Sequence, residues 1–472
     1  MQYIFRGWRI RYARHIRETL ILSFPVVVGQ LGTMLMGITD TLMVGRLGYV
    51  YVSAGSLANS IFFLISVLGI GITFAITPLV AEAAAKGATE QGAGYLRQGI
   101  WVGTGAALII MVLTLAAAQL LYLMRQPSQD TDLAHGYMQI VSLSAVPLMV
   151  FLMSKQFTDG NSQTIPAMFI TFVGLGSNVF LNWLLIEGNW GFPALGLDGA
   201  AWGTVAARTI MMVLMLGYIL WHKSLAVYQV LYGDWRWNLP LMRRILSLGI
   251  PAGLQYFFEV GAFSGAAIMV GWMGEGDIAS ANRAAHQIAL QLCALTYMLV
   301  MGVSAGATIR VGNAMGMRDL RQVRDAGMTG IVMGGALMLI CALALILGRG
   351  FLPALFTNDT YVLDLSARLL IIAAFFQLFD GVQAVAAGIL RGIRDVRIPT
   401  VITFVAYWVV ALPVGALLGF TFEMEVAGVW YSFVAGLGLA AIALTWRFHV
   451  LTRYQTAWFD VASDPAAVPV IH

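Results

Sequence analysis

Three carboxylates stand where the surrounding sequence is apolar. Asp40 ends the stretch GITD, Glu259 lies within QYFFEVGAF, and Asp380 lies within FQLFDGVQA. A charged side chain at the centre of a membrane helix costs about 2.5 to 3.5 kcal/mol on insertion scales, so three cost on the order of 8 to 10 kcal/mol unless they are protonated, paired or hydrated. Carboxylates in such surroundings can bind a cation or carry a proton, because the low dielectric lets binding switch their charge.

Polar and aromatic residues accompany each acid at helical spacing. Residues three, four or seven apart share one face of a helix. At these spacings lie Phe376, Gln377 and Gln383 around Asp380, Gln255, Tyr256 and Phe263 around Glu259, and Thr33 before Asp40. We expect these faces to line a cavity or cleft that suits a lipophilic cation, Na⁺ or H⁺. Two plainer alternatives stay open: the aromatic residues could be ordinary core, and one acid alone could be a structural hydrogen-bond partner.

The flanking arginines give the depth of two of the acids. Glu259 follows Arg244 by 15 residues and Asp380 precedes Arg391 by 11. At a rise of 1.5 Å per residue, these separations correspond to about 22 Å and about 16 Å from the same side of the membrane. Both acids are therefore predicted near the midplane, and Asp40 in the outer third.

The composition indicates an integral membrane protein. The 472 residues are 59% hydrophobic and only 11% charged, with a mean hydropathy of +0.81. Soluble domains carry about 25% charged residues. The two cysteines, Cys293 and Cys341, both fall in apolar runs, which indicates small core residues and no disulfide or metal framework.

Twelve apolar segments are long enough to cross the membrane as helices. They cover residues 19–45, 53–81, 99–123, 134–154, 165–186, 199–222, 245–273, 284–309, 326–348, 361–390, 398–420 and 427–446. Frequent glycine and proline within them fits packed or bent helices and argues against barrel strands. The predicted class is all-α integral membrane with 12 transmembrane helices.

The distribution of basic residues predicts the orientation. Most of the 27 lysines and arginines fall before the first segment or in alternate connections. The positive-inside rule then places both termini in the cytoplasm. Arg310 and the arginines from Arg391 to Arg397 are expected to face lipid headgroups, whereas Arg208 lies within the sixth segment without an evident partner.

The chain repeats itself once. LSFPVVVGQ and MVGRLG in the first half match LSLGIPAGLQ and MVGWMG in the second, and Pro25 and Met43 correspond to Pro251 and Met269, each 226 residues later. We predict two homologous six-helix lobes related by a pseudo-twofold axis along the membrane normal. The predicted divisions are a basic N-terminus (1–18), an N-terminal lobe (19–222), a cytoplasmic linker at the membrane surface (223–244), a C-terminal lobe (245–446) and a cytoplasmic tail (447–472). At this spacing Asp40 corresponds to Ala266, so the acids are not symmetry mates.

The motifs resemble the multidrug and toxic compound extrusion (MATE) family, most closely its NorM-like branch. The resemblance runs over residues 17–446 and includes GITDTLMVGRLG, FFEV, AAHQ and FQLFDGVQ. It implies a secondary active antiporter, not an enzyme, that exports lipophilic or cationic drugs in exchange for Na⁺ or H⁺ by alternating access. It also implies a bacterial inner-membrane location.

The resemblance assigns roles to particular residues. Glu259 and Asp380 match the family's cation-binding acids, and Asp40 matches the acid of the first helix that members use for coupling or drug binding. His286 and Gln287 match the family's AAHQ pattern, and Gln287 is expected to line the cleft. His286 is expected to have a structural role. We expect Na⁺ at Glu259 and Asp380, since two carboxylates with amide oxygens can furnish its ligands, whereas one desolvated acid would suffice for H⁺.

Other functions remain as alternatives. A flippase for lipid-linked precursors could share the fold, although its cleft would be expected to be basic. An intramembrane protease would need two carboxylates sharing a proton, and ATP-driven transport would need a phosphate-binding loop that the sequence lacks. We expect no cofactor beyond the transported ion, membrane lipids and small drugs as partners, no nucleic acid, and function as a monomer.

Overall fold

The computed structural model describes residues 2–124 and 128–454, with side chains described for 13–122 and 131–453. The predicted tail beyond residue 454 and the side chains of the basic N-terminus up to residue 12 lie outside the described residues. Of the described residues, 87% are helical and none is in a strand. The all-α prediction is therefore confirmed.

The α-helices of the described residues are numbered in chain order. They are α1 (Gln2–Gly45), α2 (Tyr49–Thr73), α3 (Ile76–Ala85), α4 (Thr89–Leu120), α5 (Ser128–Leu143), α6 (Ala145–Gly160), α7 (Ile165–Ile186), α8 (Leu197–Trp221), α9 (Lys223–Ala226), α10 (Leu239–Gly271), α11 (Gly276–Gly316), α12 (Leu320–Gly348), α13 (Thr360–Gly392), α14 (Arg397–Phe404), α15 (Leu412–Ala416) and α16 (Glu425–Tyr454).

Eleven helical spans in the described residues are long and apolar enough to cross a membrane, and a bent pair gives a twelfth. The pair is α5 and α6, which meet at Ser144 with a bend of 43°. Pro147 has no N–H to donate to the carbonyl of Leu143, so a regular helix cannot continue through this point. The prediction of twelve spans is confirmed when the pair counts as one.

The eleventh span is not a uniform α-helix. Between α14 and α15, residues Val405–Ala411 form a wider helical segment with i→i+5 hydrogen bonds, and Leu417–Thr421 form another. Such wide turns are rare and occur frequently at functional sites. Tyr407 lies in the first of them and is buried.

The helices pack into two compact units. Among the described residues, one unit holds those up to Ser23, Ala81–Gly87 and those from Gly265 to Tyr454; the other holds those of Phe24–Val80 and of Ala88–Ser264. We call them the Asp380 unit and the Asp40 unit. This grouping reflects packing, whereas the predicted lobes rest on sequence repetition, so the lobe boundaries stay a prediction.

The core of the Asp40 unit forms where α2, α4, α5, α6 and α8 meet. Small residues such as Ala54 and Ala58 of α2 let larger side chains such as Phe62, Ile110 and Met149 interdigitate. The residues of this core are buried, and the outer faces of the same helices expose further apolar side chains. This pattern is typical of helices that pack inward and meet lipid outward.

The core of the Asp380 unit is organised around α13, which packs against α11, α12 and α16. At Gly381 the backbones of α13 and α12 come close together. A Cβ added there would lie 2.8 Å from the carbonyl oxygen of Gly334 and 2.9 Å from Cβ of Met338. Only glycine permits this helix separation next to Asp380.

The predicted linker (223–244) is bound to the Asp40 unit along part of its length. The side-chain amide of Gln98 in α4 donates to the carbonyl of Arg236 at 2.9 Å and accepts from the N–H of Asn238 at 3.1 Å. Tyr228 is buried. These contacts fix the linker as part of the folded unit.

Candidate ion and substrate sites

Asp40 is held by a residue far away in the sequence. It lies in α1, and its Oδ1 accepts a hydrogen bond of 2.5 Å from Nδ2 of Asn182 in α7. Asn182 is fully buried. A hydrogen bond to a carboxylate is shorter and stronger than one between neutral groups, so this contact ties the acid to α7.

Two further polar side chains flank the same carboxyl. Asn178, one turn before Asn182, and Thr204 of α8 both lie near Asp40. Asn178 is buried, and neither polar atom of its side chain has a partner within hydrogen-bond geometry. We call Asp40, Asn178, Asn182 and Thr204 the Asp40 cluster; its oxygens are the kind of ligand that suits a small hard cation.

The sequence prediction missed the two asparagines. They stand four residues apart in SNVFLN, within an otherwise apolar span, and this spacing puts both on one face of α7. Their polarity in a membrane helix was the signal that could have found them.

Arg208 has partners that the sequence did not reveal. Its Nη1 donates to Oγ of Ser144 at 2.5 Å, and its guanidinium carbon lies 5.2 Å from the centroid of the Phe62 ring. Its charge also acts on Asp40. The expectation of an unpartnered arginine was therefore wrong.

Thr33 lies two turns from Asp40 on α1 and is exposed on its helix. Its hydroxyl donates to the carbonyl of Gly29 at 3.2 Å, within the same helix. The side chain therefore satisfies its hydrogen bond locally. Its predicted place in a cleft stays a prediction.

Glu259 lies buried on α10 within the Asp40 unit. Tyr256 interacts with it electrostatically, and the Tyr256 ring centroid lies 5.8 Å from that of Phe74. Gln255 is buried, and its Oε1 has no hydrogen-bond partner. Phe263, one turn after the acid, is half-buried. Polar and aromatic groups thus surround this acid along its own helix, as its spacing predicts.

Asp380 lies buried in the middle of α13, between two buried glutamines. Nε2 of Gln377 donates to Oγ1 of Thr296 in α11 at 2.5 Å. Oε1 of Gln383 accepts from the hydroxyl of Tyr407 at 3.5 Å, a long contact. The two amides are thereby connected to α11 and to the wide turn of the eleventh span.

An aromatic cluster lies one turn from Asp380. The Phe376 ring centroid is 5.5 Å from that of Trp430, whose indole N–H donates to Nδ1 of His286 at 3.1 Å. An imidazole nitrogen that accepts this bond is unprotonated. The contact fits the structural role expected for His286, whereas the neighbouring Gln287 is exposed.

The predicted site residues divide between the two units. Thr33, Asp40, Gln255, Tyr256, Glu259 and Phe263 belong to the Asp40 unit; Gln287, Phe376, Gln377, Asp380 and Gln383 belong to the Asp380 unit. The pairing of Glu259 with Asp380 for Na⁺ stays a prediction. The described residues contain no group of three or more histidine, cysteine or acidic side chains placed to hold a metal ion.

Two arginines that were expected to face lipid headgroups are in ion pairs with acids instead. Arg310 is 10% exposed and donates to Glu18 at 2.8 Å and to Thr19 at 2.9 Å. Arg394 pairs with Glu82. Burial lowers the pKa of Arg394 to about 10, so it is still charged at neutral pH. For these two residues the expectation was wrong, because the acids that bind them come from distant parts of the chain.

Comparison with known proteins identifies the family. The MatE family model matches residues 25–184 and 251–417. The chain belongs to the MatE family. It is 34% identical over 440 residues to a probable multidrug resistance protein NorM of Bradyrhizobium diazoefficiens, covering 92% of this chain and 93% of that protein. A protein of the same name from Agrobacterium fabrum is 31% identical over 447 residues, covering 93% and 95%.

Solved structures agree with the MatE fold. The eukaryotic MATE transporter AtDTX14 superposes with a TM-score of 0.87 at 19% identity, over 95% of this chain and 98% of that one. A multidrug resistance MATE family transporter in an outward-facing conformation gives 0.85 at 18%, over 94% and 97%. The family match and the relatives named as multidrug resistance proteins make this chain a multi-pass membrane transporter and not an enzyme, which confirms the resemblance inferred from the sequence.

Proposed function

We propose that this MatE protein is a secondary active multidrug efflux antiporter that exports lipophilic or cationic compounds in exchange for Na⁺ by alternating access. H⁺ is the alternative coupling ion. The observation that carries the proposal is the Asp40 carboxylate, which lies in a membrane helix and is bound by the amide of Asn182. The relatives named as multidrug resistance proteins support the substrate class.

The three intramembrane acids have proposed roles in the exchange. Glu259 and Asp380 bind the coupling ion, each with amide or hydroxyl groups on neighbouring positions of its helix. Asp40 is the third coupling-ion acid, which binds the ion or meets the cationic cargo during the outward-facing step. Carboxylate and amide oxygens can replace part of the hydration shell of a small cation, and aromatic side chains such as Tyr256 and Phe376 can contact an organic cation.

The decisive experiment is efflux of ethidium from proteoliposomes, driven separately by a Na⁺ gradient and by a pH gradient. We expect the wild type to respond to the Na⁺ gradient. Asp40→Asn, Glu259→Gln and Asp380→Asn should each lower the coupled efflux at least tenfold.

Asp364→Asn provides the matched control. Asp364 is an exposed acid on α13 that pairs with Arg368, one turn away, and its neutralisation should leave efflux unchanged. Coupled efflux that persists in all three site variants under both gradients would show that these acids are not the coupling groups. A response to the pH gradient alone would replace Na⁺ by H⁺.

We further propose that the protein functions as a monomer among the lipids of a bacterial inner membrane, with both termini in the cytoplasm. Exposed single cysteines test the orientation, because the native Cys293 and Cys341 are buried. A membrane-impermeant maleimide added outside intact cells should label Phe422→Cys and should not label Met317→Cys. The reverse pattern would invert the topology.

A further inference from the structure

Arg208 is a basic side chain in the interior of a membrane-spanning helix, and the function proposed above does not use it. It lies on α8 four residues after Thr204, one of the residues beside Asp40. Residues four apart share a helix face. Arg208 therefore belongs to the same side of α8 as the Asp40 cluster.

Two neighbouring helices hold the guanidinium in place. Ser144, at the bend between α5 and α6, accepts the hydrogen bond from Nη1, and the Phe62 ring of α2 lies against the planar cation. Attraction between a cation and an aromatic face strengthens as water is removed. These contacts fix the position of the positive charge independently of Asp40.

The charge of Arg208 acts on Asp40 across a gap. Arg208 interacts electrostatically with Asp40 and with Tyr137, but its described hydrogen bond goes to Ser144, whereas that of Asp40 goes to Asn182. Tyr137 of α5 is a further titratable group that interacts with both, and its hydroxyl donates to Oδ1 of Asn59 at 3.4 Å.

We propose that Arg208 is the resident counter-charge of Asp40 and sets how tightly the Asp40 cluster holds a transported cation. A guanidinium remains protonated in proteins. With Asp40 ionised, the two side chains together are neutral. A cation bound at the carboxylate leaves one net positive charge, and Arg208 then repels the guest. The arginine thus weakens binding and favours release, which an antiporter needs in every cycle.

This inference rests on the proposed role of Asp40, and the variants separate the two. The half-saturating Na⁺ concentration and the maximal rate of ethidium efflux are measured in proteoliposomes, and the half-saturating H⁺ concentration is measured in the same way. Arg208→Gln should lower the half-saturating concentration of the coupling ion, Na⁺ or H⁺, roughly tenfold. It should also reduce the maximal rate, because the ion leaves more slowly. Arg208→Lys keeps the charge and should stay within about twofold of the wild type.

The background of Asp40→Asn isolates the electrostatic effect. In that background, Arg208→Gln should not change the half-saturating ion concentration of any remaining efflux, because the carboxylate that binds the cation near Arg208 is absent. If Asp40→Asn alone leaves coupling intact, the proposed function fails at this acid. If Asp40→Asn abolishes coupling but Arg208→Gln leaves the half-saturating concentration unchanged or raises it, only the counter-charge inference is overturned. A shift in Arg208→Lys as large as that in Arg208→Gln overturns it as well.

Ser144→Ala provides a second variant that retains the arginine. Without the Ser144 hydroxyl, the guanidinium loses its hydrogen bond and should move toward the carboxylate of Asp40. The half-saturating Na⁺ concentration should then rise about threefold, opposite in sign to Arg208→Gln. An unchanged or lowered value contradicts the inference, including in the case that Arg208→Gln yields no folded protein.

Discussion

The Asp40 and Asp380 regions build a polar site in a membrane helix in opposite ways. Asp380 has its polar neighbours on its own helix, with Gln377 three residues before it and Gln383 three residues after it. Asp40 takes its hydrogen bond from Asn182, 142 residues away in the chain. The first arrangement is local and the second is assembled only by the fold.

The difference extends to the kind of bond that stabilises each region. The described hydrogen bond of Gln377 joins two neutral groups, since its amide donates to the hydroxyl of Thr296. The bond from Asn182 ends on a carboxylate. Hydrogen bonds to charged groups contribute about 1.5 to 3 kcal/mol, against about 1 kcal/mol for neutral pairs. The Asp40 region should therefore depend more on its single amide than the Asp380 region does.

The largest effect on folding is expected next to Asp380, at Gly381. The change Gly381→Ala puts a methyl group 2.8 Å from the carbonyl oxygen of Gly334, and backbone on both sides cannot move aside. Overpacking of this kind costs typically about 1 to 3 kcal/mol, and here the upper end is expected. The measurement is the apparent melting temperature in detergent.

Gly335→Ala on α12 is the matched control for Gly381→Ala. A Cβ at Gly335 would meet only the Val382 side chain, at 3.4 Å, which is ordinary contact. Its melting temperature should equal that of the wild type. Equal melting temperatures for both variants would show that α12 and α13 can separate freely beside Asp380.

The next largest effect compares the two amides directly. Asn182→Leu keeps the branched shape of the side chain but removes the donor to Asp40, and should cost about 2 kcal/mol. Gln377→Leu removes a neutral bond to Thr296 and should cost about 1 kcal/mol. The measurement is the apparent melting temperature of both variants. Asn182→Leu is also measured together with Asp40→Asn and compared with Asp40→Asn alone.

The Asp40→Asn background shows whether the cost at Asn182 belongs to the charge. In that background, the penalty of Asn182→Leu should fall to that of a neutral bond. If Gln377→Leu is the more destabilising change, or if the penalty at Asn182 does not depend on Asp40, then the proposed difference between the two regions is wrong.

The same difference explains what could be predicted from the sequence. The apolar segments predicted an all-α membrane protein because each span carries its hydrophobicity locally. The neighbours of Asp380 were equally visible, since helical spacing alone puts Gln377 and Gln383 beside it. The bend at Ser144 was not predicted, although the missing N–H of Pro147 was readable from the sequence.

The partners that join separate helices could not be predicted in this way. Asn182 and Arg208 lie in spans far from Asp40 in the chain, and periodicity carries no information on which helix packs against which. The ion pair of Arg310 with Glu18 failed to be predicted for the same reason, because 292 residues separate the two side chains. A single sequence specifies the faces of helices but leaves their partners undetermined.

A smaller effect is expected at Gly203, which lies against the Asn182 side chain. Gly203→Ala brings a methyl group 3.2 Å from Cγ of Asn182 and closer to its Oδ1, so the amide must shift, which weakens its bond to Asp40 without removing it. The half-saturating Na⁺ concentration of efflux should change a few-fold, while stability falls by less than about 1 kcal/mol. Gly176→Ala, where a Cβ would meet nothing within 4 Å, is the control and should behave as the wild type.

The smallest effect is expected at Thr33, and it tests whether this residue lines the substrate cleft or has only a structural role. Its hydroxyl bonds only to the carbonyl of its own helix at Gly29, so Thr33→Val should change stability by no more than about 0.5 kcal/mol. Thr296→Val, in contrast, removes the acceptor of the buried Gln377 and should lower the melting temperature. Because Thr33→Val leaves the fold intact, a change in the ethidium concentration that gives half-maximal efflux would place Thr33 against the cargo. An unchanged value would remove it from the site and leave Asp40 as the polar residue of α1 that acts in transport.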